Sequence, residues 1–130
     1  MTALYPGTLL RIETGKGPRL VQITHMPRPY PPVLRALKAD DAESDTAFIA
    51  MADLPLNDPR VHPAGSAPIP ASARAFPTFR LAVRDKAGIP IYWWHWDGEG
   101  LRLAPSQDDE TLPLRKVTRF DALLLALENV

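Results

Sequence analysis

The residues best suited to proton transfer or metal binding are three histidines, His25, His62 and His95, far apart in the chain. None forms an i, i+4 pair, and no group of His, Asp and Glu has metal-ligand spacing. His25 and His95 both end alternating apolar runs. If those runs meet in space, His25, His95 and Asp97 would form a pocket fit for a small ligand or for acid–base chemistry. No nucleophile stands out. Ser44, Ser66, Ser72 and Ser106 sit among turn-forming residues, without the glycine-flanked elbow that exposes a catalytic serine. Gly15-Lys-Gly17 is too short for a phosphate loop. The sequence therefore assigns no catalytic residue, metal ligand or cofactor.

Recognition is easier to motivate. Tyr30, Arg80, Trp93, His95 and Arg115 are planar or amphipathic groups of the kind that dominate binding hot spots. An arginine beside an aromatic lip grips a carboxylate or phosphate by its fork and by stacking. The expectation is a non-catalytic interaction module that binds a protein partner or a small acidic ligand. Its surface would hold Tyr30, Arg80, Trp93, His95, Asp97 and Arg115, with His25. Fifteen basic and fifteen acidic residues cancel, which removes the usual electrostatic footprint of a nucleic-acid binder. A homodimer joined through an exposed aromatic patch is a third reading.

These groups need a scaffold, and Ile89-Pro-Ile-Tyr-Trp-Trp-His-Trp-Asp-Gly-Glu-Gly100 is its expected centre, since it holds every tryptophan of the chain. Side chains alternate across a strand, so Tyr92, Trp94 and Trp96 share one face and Trp93, His95 and Asp97 the other. The first, more apolar set is assigned to the core and the second to a groove. Residues 78–85 alternate before it and residues 101–104 follow it, predicting a three-stranded meander.

Residues 8–14 and 19–25 alternate around Gly15-Lys-Gly-Pro18, which predicts a hairpin. Four prolines between Met26 and Pro32 exclude sheet interior and suit a surface loop anchored by Tyr30. Strands are expected over 33–38 and 46–52, with the acidic stretch 39–45 turning between them. Residues 54–67 are poorly legible: Pro55, Pro59 and Pro63 forbid a long helix but allow a helical turn at 56–61. Pro70 can open a short helix to Phe76. Residues 105–110 read as a polar loop and 112–118 as a final edge strand. Thr118-Arg-Phe-Asp121 resembles a capping box, and Phe120, Leu123, Leu124 and Leu127 make one apolar helical face.

At 130 residues the chain reads as a single domain, long enough to bury a core without a staple. It contains no cysteine, no signal-peptide pattern and no apolar run of membrane-spanning length, so a cytoplasmic, non-membrane protein is expected.

Several segments carry a resemblance. Thr14-Gly-Lys-Gly-Pro-Arg-Leu-Val-Gln-Ile-Thr-His25, Phe76-Pro-Thr-Phe-Arg80, Trp93-Trp-His-Trp-Asp-Gly98 and Leu112-Pro-Leu-Arg115 together resemble a family of small uncharacterised bacterial proteins. That family has similar segments in the same order, and the likeness implies no reaction. The opening hairpin also resembles the barrel-type immunity proteins that neutralise bacterial toxins. The expected fold is mainly β (α+β): a small antiparallel, partly open barrel of the Src-homology-3 type, with a short middle helix and a C-terminal helix.

Overall fold

The computed structural model describes residues 4–104 and 108–130. The fold is mainly β, largely antiparallel and partly open, with one C-terminal helix. The backbone divides into two compact units. One comprises the described residues of Met1–Arg74 with Val117–Val130, the other those of Ala75–Lys116.

The first unit is built on the opening hairpin. Strands β1 (Thr8–Thr14) and β2 (Gly17–His25) pair antiparallel, with Thr14 opposite Gly17 and Leu10 opposite Val21. The turn is thus two residues long. Gly17 has φ +106°, a left-handed conformation that only glycine adopts freely. Strands β3 (Val33–Leu37) and β4 (Thr46–Ala52) extend the sheet in chain order.

The other edge is strand β5 (Val61–Ser66), which pairs with β1 through a register shift between Thr8 and Leu10. The sequence gives no hint of β5, because Pro63 and Gly65 break its alternation. An edge strand tolerates both, since its outer side has no ladder to complete. The helical turn expected at 56–61 is a non-helical turn leading into β5. There Asp58 accepts hydrogen bonds from the side chain and backbone of Arg60, which lower its carboxyl to about 2. Arg60→Ala should therefore return the Asp58 midpoint toward 3.8, as followed by carboxyl NMR. A depressed acid contributes stability above its unfolded value and loses it as pH falls, so this turn weakens between about pH 4 and pH 2.

One face of the sheet carries Leu10, Ile12, Val21, Ile23, Leu34 and Ala36. Helix α1 (Phe120–Glu128) closes it by burying Leu123 and Leu127 completely, with Phe120 and Leu124 packed at the margin. This is the apolar face expected from the sequence. Nine residues are too few for an isolated helix, so docking stabilises α1. Burying each leucine contributes about 2 kcal/mol. Arg19 Nε donates to the Leu127 carbonyl at 2.9 Å, and Glu128 Oε1 accepts from the Gly15 amide at 3.1 Å, tying the helix end to the hairpin.

The expected capping box does not form. Arg119, not Thr118, precedes the first helical residue, and no side chain caps it. Thr118 belongs instead to β9 (Val117–Thr118), a parallel edge partner of β4 that takes up its backbone. The middle helix expected after Pro70 shrinks to one 3-10 turn, Ala71–Ala73.

The second unit is the predicted meander, β6 (Phe79–Arg84), β7 (Pro90–Trp96) and β8 (Leu101–Leu103). Phe79 lies opposite Trp96, Trp94 opposite Leu103, and His95 opposite both Arg80 and Arg102. Residues 112–118, expected as one strand, divide. Leu114 bridges parallel to Arg80 in this unit, while β9 serves the other. The polar loop expected at 105–110 is described only from Asp108 onward; Pro105, Ser106 and Gln107 lie outside the described residues.

Candidate functional site

Of the residues singled out by sequence, Arg80, Trp93, His95, Asp97 and Arg115 belong to the second unit, and His25 and Tyr30 to the first. The tryptophan strand β7 is central in its sheet, as expected. The face assigned to the core is buried at one end only. Trp96 is buried, with Phe76 edge-on at 5.2 Å between ring centroids, Phe79 at 5.9 Å and the Arg115 guanidinium 4.5 Å from its ring centre. On the same face Trp94 is only half-buried and Tyr92 is 37% exposed. The groups that cover Trp96 (Phe76, Phe79 and Arg115) are gathered at that residue's end of β7. Tyr92, Trp94, Leu103 and Ala104 line an open apolar groove of about 410 Å³, and Leu103 is 65% exposed.

The opposite face, expected as the groove, is occupied by its own polar groups. Arg80 lies 5.2 Å from the Trp93 ring centre, donates Nε–H to the Leu112 carbonyl at 2.8 Å, and ion-pairs with Asp108. Its fork is therefore engaged within the unit. Leu114 bridges Arg80, so alternation sends the neighbouring Arg115 to the other side of the sheet, where it meets Trp96. The two arginines do not form one lip.

Asp97 serves the β7–β8 turn. Its Oδ1 accepts from the amides of Glu99 at 3.0 Å and Gly100 at 3.1 Å, and its Oδ2 lies 3.5 Å from Arg102 Nη2. The amide bonds first, and the Arg102 charge less, hold its carboxyl below the usual range. Gly98 in this turn has φ +92°, and a Cβ there would sit 2.9 Å from the Phe76 ring. Gly98→Ala is thus expected to cost about 2 kcal/mol of stability in thermal or urea denaturation, through backbone strain and displacement of Phe76 from Trp96.

In the first unit His25 bridges Thr24 Oγ1 and the Arg74 carbonyl, each at 2.9 Å. The nitrogen that faces the carbonyl, Nε2, carries a proton. Tyr30 is 37% exposed, and its amide donates to the Pro27 carbonyl. His62, in β5, lies 3.7 Å from Glu13. Among the described residues no three His, Asp or Glu side chains come close enough to hold a metal ion.

Sequence reasoning passed over Arg35. It lies in β3 opposite Gln22 and is 1% exposed. Its Nε donates to Gln22 Oε1 at 2.7 Å, Nη1 to Thr46 Oγ1 at 3.1 Å and the Ser44 carbonyl at 3.3 Å, and Nη2 to the Ala42 carbonyl at 3.1 Å. Gln22, fully buried, in turn donates to the Ala67 carbonyl at 2.9 Å. Every one of these acceptors is uncharged. Burial alone lowers the guanidinium's proton affinity, with no carboxylate acting to restore it. The available signal was a charged residue inside an otherwise apolar strand, with Gln22 at the matching position of β2.

No family model, curated protein or solved structure matches the chain.

Proposed function

We propose that the chain is a non-catalytic bacterial interaction module, and that its second unit receives an extended segment of a protein partner along β8. The observation that carries this reading is an unpaired strand edge beside an apolar groove. Ala104 donates to the Trp93 carbonyl at 2.9 Å, and His95 pairs with Arg102. Antiparallel alternation then turns the backbone groups of Leu101 and Leu103 outward, where no strand among the described residues meets them. Leu101 and Leu103 are 47% and 65% exposed, and Tyr92 and Trp94 continue their face. An added strand would bond to those two residues and lay alternate apolar side chains in the groove.

Arg80 and Arg115 are engaged within the unit, which favours a protein segment over a small acidic ligand at this surface. The lack of cysteine supports a reducing, cytoplasmic setting. No helix among the described residues is long and apolar enough to cross a membrane.

The test is selection from a displayed library of short random peptides, followed by titration of the winners against the protein and its Leu103→Lys variant. Peptides with alternating apolar residues are expected, losing at least about tenfold in affinity to the variant. Winners indifferent to Leu103→Lys, or no winners at all, overturn the reading. If light scattering shows a dimer that Leu103→Lys dissociates, the edge belongs to a second copy and the homodimer replaces the module.

A further inference from the structure

Arg35 presents a second problem, independent of the meander. Its guanidinium has five N–H donors, and four hydrogen bonds account for all but one of them, on Nη2. It is a buried cation with no ion-pair partner among the described residues. It also forms part of the wall of a cavity of about 240 Å³, in the first unit, between the 42–46 segment and the 68–72 segment. Pro68, Pro70, Ser72 and the exposed acidic residues Glu43 and Asp45 also line that cavity.

The charges select the guest. A simple anion would meet the guanidinium but be repelled by Glu43 and Asp45. A simple cation would be attracted by the carboxylates but repelled by Arg35. A molecule that carries both charges a few bonds apart satisfies both, with its carboxylate against the spare N–H and its ammonium toward the acidic side. The proline walls suit a small aliphatic body.

We propose that this cavity is a binding site for a small zwitterion of the amino-acid type, its carboxylate held by Arg35 and its ammonium by Glu43 and Asp45.

The probe is L-valine, titrated into the labelled protein while backbone amides 42–46 and the Arg35 side-chain resonances are followed by NMR. The controls keep its carbon skeleton and delete one charge each: isovalerate has only the carboxylate, and isobutylammonium only the cation. L-Valine is expected to shift those resonances saturably and to bind at least about tenfold more tightly than either control. The Glu43→Gln/Asp45→Asn double variant alters only exposed side chains and leaves the core untouched. It should weaken L-valine about tenfold and leave isovalerate no weaker. Isovalerate binding as tightly as L-valine would reduce the site to an anion hole and overturn the proposal. So would the absence of saturable shifts at millimolar L-valine, which would leave Arg35 as a structural tie alone.

Discussion

Arg35→Ala is expected to cost about 3 kcal/mol of stability, measured by urea denaturation followed by far-ultraviolet circular dichroism. The argument rests on what is left behind. Gln22 is fully buried, so losing the 2.7 Å partner of its Oε1 costs the desolvation of that group. The Ala42 and Ser44 carbonyls and Thr46 Oγ1 lose their shared donor as well, which releases the 42–46 segment from β3. Removing a buried charge also removes its own desolvation cost, which keeps the net loss below the sum of the broken bonds. Arg35→Met retains the apolar stem and is expected to cost about half as much. Amide exchange in β2 and β3 should rise in step with the lost stability. Equal stability of all three proteins would mean that the four bonds hold nothing in place.

Trp96→Ala should cost about 4 kcal/mol, the largest effect expected in the second unit. Trp96 is 7% exposed and is the common neighbour of Phe76, Phe79 and Arg115. Its removal leaves a void that a three-stranded sheet has little material to fill. Trp96→Phe keeps a ring against Phe76 and should cost roughly half of that. Trp93→Ala and Trp94→Ala begin from half-buried positions and should each cost less than Trp96→Ala. All three tryptophans lie in this unit, so their emission reports its unfolding selectively.

The legible parts of the fold were those where side-chain period and turn chemistry agree. Leu10 and Ile12 against Val21 and Ile23, around Gly15-Lys-Gly-Pro18, predict a hairpin, and the structure has one, its turn tightened to Gly15 and Lys16. The 78–104 meander and the apolar face of α1 follow from the same agreement. What failed was set by neighbours that local pattern does not encode. Strand β5 exists because β1 offers it an edge, despite Pro63. Thr118 forgoes its cap because β4 binds its backbone first.

The site was half legible. Types and spacing marked β7 as the centre of a sheet. The face marked as core by its apolarity does bury Trp96, but its cover ends there and leaves Trp94 half-buried and Tyr92 exposed. Arg80 and Arg115 looked equivalent in sequence, yet one step of register relative to β6 separates them onto opposite faces. Arg35 was hidden because a lone charge in a short apolar strand reads as solvent-facing unless its partner Gln22 is already known to be buried.

The most direct test of the interaction edge is residue-resolved amide exchange across 101–104 in the protein by itself and with a selected peptide bound. In the protein alone, Arg102 and Ala104 should be protected while Leu101 and Leu103 exchange at rates near those of an open chain. Peptide binding should slow Leu101 and Leu103 selectively. Protection of all four amides before any peptide is added, or peptide binding that leaves Leu101 and Leu103 unchanged, would contradict the assignment of β8 as the receiving edge.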